Sequence, residues 1–335
     1  SIALHNYHDV HQAFPAGGAV FLGSNPRFSA FLALLPFIEQ QPTYDAYIGA
    51  MQTSLAAGVT AANISPWMNS GTAIVPSAAG TIIDQVRRSQ IGAFICPSDP
   101  NKQKPSANDN GRISYATSGG DWAEGAGIGA GTSASNLNPR SIFIYGCHWR
   151  MMTTMTDGTS NTAVFSEKAI GGISDIRKLR GGIAYVSGNP LNSLPTSATS
   201  CSVAACLAVR NKDEFDSTVT DANLDGSNQV GVHWLDGTAV RNGFSTIIPP
   251  NGPSCGAQEG STGSVREHSR AMPAASSFHS GGVQVGLGDG SVRFISETIN
   301  AKTTGSVDYC VTSGESPFGV WGALGSVNGG ESTTP

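Results

Sequence analysis

Apolar residues recur along the first fourteen positions at helical spacing: Ala3, Tyr7, Val10 and Phe14 follow one another at intervals of four, three and four. That stripe predicts a helix over 1–14, stopped by Pro15 and the Gly17-Gly18 pair. A second stripe, Phe28, Phe31, Leu35 and Ile38, predicts another helical stretch that Pro36 should break or restart. Residues 50–80 are rich in Ala, Ser and Gly and weakly patterned. From Ile91 onward the chain changes to short apolar runs bounded by Gly, Pro, Asn and Asp. These predict strands at Ile91–Cys96, Ser141–Tyr145, Thr162–Ser166, Gly182–Val186 and Val283–Leu287. Residues 125–138 read as an exposed loop. Near the C-terminus, Val283, Val285 and Leu287 alternate with Gln284, Gly286 and Gly288; Asp289-Gly290 follows, then Val292–Ile295. Two alternating runs joined by Asp-Gly predict a β-hairpin, because that dipeptide tolerates the positive φ of a tight turn.

Composition narrows the class. Only 13% of the 335 residues are charged, against roughly a quarter in an ordinary soluble protein, and 42 are glycine. Such a chain favours turns and short strands, and its weakly charged surface tolerates close neighbours. The net charge of −5, with no run of Lys or Arg, argues against nucleic acid as a partner. No apolar run approaches the roughly 20 residues of a membrane span. The chain opens at Ser1 inside a helical pattern, so an upstream segment is expected to have been removed, and any membrane attachment would lie in that segment.

The six cysteines, Cys96, Cys147, Cys201, Cys206, Cys255 and Cys310, are even in number and irregular in spacing, with no C-x-x-C pair. Disulfides in an oxidising compartment fit this better than zinc or redox chemistry, with Cys201–Cys206 the expected local pair. Buried free thiols are the alternative. Asp221, Asn223 and Asp225, followed by Gly226, match the first half of an EF-hand loop, and Gln229 offers a further oxygen. Val232 stands where a bidentate Glu is needed, so either a looser calcium loop or a metal-free Asx turn accounts for the segment. Calcium is thus the one cofactor the motifs suggest. His5, His8 and His11 sit about 60° apart on a helix and converge poorly on one ion, which favours a polar helix face. There is no G-x-S-x-G elbow, no local pairing that marks a catalytic triad or an acid/base couple, and no dinucleotide loop. The residues therefore argue against an enzyme.

Several blocks, taken in order, look familiar: Leu4–Pro15, Leu34–Gln40, Phe94–Pro100, Asp157–Thr162 followed by Glu167, Gly243–Cys255, and Ser276–Ile295, within which nine residues separate His279 from Asp289-Gly290. Trp321 and Gly329-Gly330-Glu331 complete the set. The chain resembles the prepilin-like family abundant in Planctomycetes, which carries a C-terminal H-x9-DG signature and has no settled function. The resemblance implies an α+β fold: a pilin-type N-terminal helix packed on an antiparallel β-sheet, with β-rich insertions. It divides the chain into 1–120, holding the helix and the first part of the core, an insertion at 121–265, and a C-terminal hairpin segment at 266–335; one continuous domain is also compatible. Read physically, the signature pins the hairpin through a hydrogen bond from His279 to the Asp289-Gly290 turn, and a metal at His279 is the rival.

The resulting expectation is a non-catalytic subunit of an extracellular or cell-surface filament, partnered by copies of itself. The alternative is an envelope-anchored module binding cell-surface glycans or another ligand, with Trp122, Trp149, Trp234 and Tyr145 as candidate platforms for stacking on sugars. A secreted hydrolase is a distant third.

Overall fold

The computed structural model describes residues 1–19, 28–59, 77–123, 140–144, 149–172, 176–185, 200–219, 230–256, 271–302, 306–308 and 313–331. The calcium-loop residues Asp221, Asn223, Asp225 and Gln229 lie outside them, as do Cys147, Cys310, Tyr145 and the loop at 125–138; so does the side chain of Cys201.

The first helix, α1, spans Ile2–His11 and buries Leu4. It ends earlier than the apolar stripe suggests. Gln12 turns left-handed (φ 56°), its N–H donating to the His8 carbonyl, and the Phe14 N–H is taken by the Arg150 carbonyl at 2.7 Å. Phe14 still reaches the core, but from extended chain. Helix α2 (Ala30–Leu34) passes into a 3-10 turn at Leu35–Ile38, which admits Pro36 in its first turn, where a missing N–H costs nothing.

Two further helices occupy stretches for which the apolar pattern predicts no element. In α3 (Gln41–Ala56), Tyr47, Ala50, Met51 and Ser54 are buried, one stripe made partly of small and polar residues. In α4 (Ser77–Arg88), Ala79, Ile83 and Val86 are buried at intervals of four and three. The two helices pack on each other and on Phe31, Leu35, Phe94 and Trp234.

The central sheet has five strands: β1 (Tyr115–Ser118), β2 (Ala163–Glu167), β3 (Gly243–Phe244), β4 (Gly282–Leu287) and β5 (Val292–Ser296). Their spatial order is β5-β4-β2-β1-β3, antiparallel except where β1 and β3 run parallel. The molecule is thus α+β, with an N-terminal helix and a largely antiparallel sheet. Each of the three expected segments supplies strands, and β2 and β3 come from 121–265, the segment expected to be an insertion. One face of the sheet packs Val283, Val285, Leu287 and Ile295 against Trp321 and Leu324 of α5 (Gly319–Gly325). On the other face, Tyr115 and Phe165 meet Phe31 and Phe94 beneath α2 and α3.

Helix α1 rests on α2 and the 3-10 turn, and its first turn reaches over β4. A Cβ at Gly286 would lie 3.1 Å from the Ser1 hydroxyl, so the glycine admits the close approach of the helix.

The predicted hairpin is present, with Gly282–Gly286 paired to Val292–Ser296. Gly290 alone takes positive φ (88°); its N–H donates to the Leu287 carbonyl, and the Leu287 N–H donates to Ser291. This is a three-residue loop with a glycine bulge rather than a two-residue turn.

Two predicted strands take other forms. Ile91–Cys96 contains a 3-10 turn at Gly92–Phe94, because Ile91 and Phe94, three apart, enter the same core. The described part of Ser141–Tyr145 is bent and unpaired. In Gly182–Val186, of which the residues to Tyr185 are described, Ala184–Tyr185 are strand.

The expected Cys201–Cys206 pair is not formed. Cys206 is bonded to Cys255, with Cα atoms 5.9 Å apart. A helix, Val203–Ala208, begins between the two candidates and turns Cys206 inward beside Val203, while Cys201 lies in a strand paired with Ser306–Asp308. Cys96, also expected in a disulfide, is a free thiol.

Candidate functional site

Three side chains distant in sequence meet at the end of β2. Glu167 is the last residue of that strand, opposite Tyr115 of β1. Its side chain is only 7% exposed. One carboxylate oxygen, Oε2, accepts the Gln284 N–H of β4 at 2.8 Å. The other, Oε1, faces His279 Nε2 at 3.1 Å and Cys96 Sγ at 3.7 Å. The third side of the triangle, Cys96 Sγ to His279 Nε2, measures 3.8 Å.

Local chain geometry places each member. Cys96 follows the 3-10 turn, and its carbonyl accepts the Asp99 N–H at 3.1 Å. Asp99 locks this loop onto the strand region by accepting the N–H groups of Asn101 (2.8 Å) and Ile170 (2.9 Å). Burial raises the Asp99 carboxyl above its ordinary range, against the pull of those two bonds. His279 is set by a turn in which its N–H donates to Ser277 Oγ and the Ser277 N–H donates to Asn251 Oδ1, each at 2.9 Å. Burial pushes the Tyr115 phenol up, and the charges of Cys96 and Glu167 add to the effect. Glu167 also borders a cavity of about 260 Å³ lined by Ser1, Ala3, Phe31, Phe94, Tyr115 and Val292.

The arrangement limits the chemistry. A nucleophilic thiol needs the base on one ring nitrogen and the orienting acid on the other. Here the thiol and the carboxylate both address Nε2. They form a set of donors around a common point, not a relay.

His279 therefore does not hydrogen-bond the hairpin turn as expected. Six residues of β4 separate it from Asp289-Gly290, a span of about 20 Å at roughly 3.3 Å per residue. Asp289 instead caps its own turn, Oδ1 accepting both the N–H (2.9 Å) and the hydroxyl (2.6 Å) of Ser291. The N-terminal histidines disperse: His8 Nε2 accepts the Met152 N–H at 3.3 Å, His5 lies by Gly290, and His11 packs on Tyr7 and Phe37. Of the proposed sugar platforms, Trp122 and Trp234 are buried and cannot stack on a ligand; Trp149 is 69% exposed. The signal that could have drawn Cys96 and Glu167 to His279 was absent locally, since 71 and 183 residues separate the contacts of Cys96 with them.

A model of the family described as a protein of unknown function (DUF1559) matches residues 1–302, and the chain belongs to that family. No curated protein and no solved structure matches it.

Proposed function

We propose that this protein is a non-catalytic structural subunit that assembles with copies of itself, as part of an extracellular or cell-surface filament. The observation that carries the reading is where exposed apolar side chains gather. Eight large hydrophobic residues are exposed among the described residues, and five of them, Ile2, Val10, Trp149, Met151 and Val292, lie on α1 or on segments that border it. Ile2 (77%) and Val10 (67%) are on the helix itself. Val292 and Phe294 are on β5, at the edge of the sheet, where α1 begins over the neighbouring β4. Trp149 and Met151 flank the helix on the segment that receives His8 and Phe14.

Clustered exposed apolar surface marks an interaction face, and an unpaired strand edge is open to pairing with another chain. The prepilin-like blocks, with His279 and Asp289-Gly290 in the signature positions, support a helix-centred mode of assembly. The sparse surface charge lowers the repulsion between copies.

Purified chain with its native N-terminus intact is expected to form ordered polymers in electron micrographs. Val10→Glu combined with Phe294→Glu should leave soluble monomers of unchanged melting temperature, because both side chains already face solvent. A wild-type particle that stays monomeric at high concentration would overturn the reading.

A further inference from the structure

We propose that Cys96, Glu167 and His279 form a binding site for zinc, or a divalent ion of similar softness, that clasps three segments of the fold together. The distances carry the proposal. A tetrahedral ion with bonds of about 2.3 Å to sulfur and about 2.0–2.1 Å to nitrogen and oxygen holds its donors about 3.6 Å apart for S···N and S···O, and about 3.3 Å apart for N···O. The three donor atoms stand at 3.8, 3.7 and 3.1 Å. An ion can therefore be seated with donor shifts of only about 0.2 Å, within the tolerance of a plausible site.

The donor types agree with the same ion. One thiolate, one imidazole and one carboxylate form a mixed set suited to zinc, whereas calcium and magnesium take oxygen alone. Outer contacts are also in place. The Gln284 N–H holds Oε2 and so presents Oε1 to the common point. The Ser277 and Asn251 bonds fix the backbone that carries His279. Cys96 binds as the thiolate and releases its proton to solvent. The fourth position falls to water, since the His279 side chain is 40% exposed.

The ligands come from the loop before β1, the end of β2 and the turn before β4. An ion here would join all three segments at one point, beyond the hydrogen bonds that already link them in pairs. This inference is independent of the assembly reading, because it is measured on the monomer as readily as on a polymer.

The test is cobalt and zinc titration of the full chain after chelator treatment. Wild type should bind one cobalt ion per chain with a sulfur-to-cobalt charge-transfer band, and zinc should displace it and raise the melting temperature. Cys96→Ser should abolish the band, and His279→Ala should weaken binding at least about tenfold. Circular dichroism of each variant confirms that it is folded. Absence of binding by folded wild type would show a plain ion pair beside a thiol and overturn the proposal. A band that survives in Cys96→Ser would place the ion on another cysteine, and would also overturn it.

Discussion

Lys168 follows the candidate ligand Glu167 but points the other way, and it offers a quantitative test of how this fold treats charge. Its side chain is 2% exposed, and its ammonium nitrogen donates to the Gly243 carbonyl of β3. Burial lowers its pKa from 10.5 to about 7. The unfolded chain keeps the proton up to about pH 10.5, whereas the folded chain sheds it near 7, so unfolding takes up a proton between these limits. Stability should therefore rise with pH across the window, by about 1.4 kcal/mol per pH unit where the two states differ by a full proton. Over the whole gap this reaches at most about 5 kcal/mol. Lys168→Met removes the titration and keeps much of the volume, but it leaves the Gly243 carbonyl without its donor, at a cost of about 1 kcal/mol. The variant should be more stable than wild type by about 4 kcal/mol near pH 6, and slightly less stable near pH 10. Urea denaturation of both proteins at half-unit pH steps measures the difference, in which the groups they share cancel. Parallel stability curves would show that Lys168 keeps its proton in the folded state and would refute the reasoning.

Three other perturbations have defined outcomes. Asp121 and Arg140 form an ion pair with side chains 0% and 1% exposed, and Asp121→Asn would leave the guanidinium buried without its counter-charge. A loss of about 3–5 kcal/mol is expected in chemical denaturation, most of it recovered by also replacing Arg140 with Met. Replacing both Cys206 and Cys255 by Ala opens a link spanning 49 residues. The chain-entropy model puts the cost at about 4 kcal/mol, and reductant should lower the melting temperature of wild type more than that of the variant. Gly290→Ala places a side chain at φ 88°, with its Cβ 3.3 Å from His5 Nε2. It should cost about 1–2 kcal/mol in thermal melts without changing the fold.

What could be read from the sequence was local. The β4–β5 hairpin was legible because alternation and an Asp-Gly pair specify it within fifteen residues. Helix α1 was legible from its apolar stripe, but its end was not, because the Arg150 carbonyl that draws Phe14 out of the helix lies far along the chain. Helix α3 was missed because its buried face sets Ala50 and Ser54 beside Tyr47 and Met51, which dilutes the helical period, whereas α4 carries a clear apolar stripe at Ala79, Ile83 and Val86 to which no element was assigned. The strand expected at Ile91–Cys96 failed for a related reason: a short apolar run does not reveal whether its side chains alternate or return every third residue. For the site, an even cysteine count suggested six half-cystines, and that reading hid Cys96. Glu167 looked like a strand end without a partner. Only the folding of three separate blocks onto one point made the cluster visible.

Those blocks also show what part of the scarce charge does. The sequence has 24 acidic residues, and several are committed to backbone N–H groups, most of them outside helices and strands. Asp99 accepts the N–H groups of Asn101 and Ile170; Asp157 accepts those of Gly329 and Gly330, at 2.6 and 2.9 Å; Glu167 accepts that of Gln284; and Asp236 accepts that of Thr238. In a chain with short strands and long connections, buried N–H groups outnumber the partners that helices and ladders supply, and each one left unpaired carries a desolvation cost. Carboxylates answer that need with two acceptor oxygens apiece. Their own burial is balanced in places by buried cations, as in Asp121–Arg140 and Asp236–Arg241. The DG, SDP and terminal GG segments are thus fastenings, each joining stretches of chain remote from one another. With only 13% of the residues charged, committing carboxylates to these fastenings thins the surface charge further, and such a surface resists close approach of a second copy less than an ordinary soluble protein would.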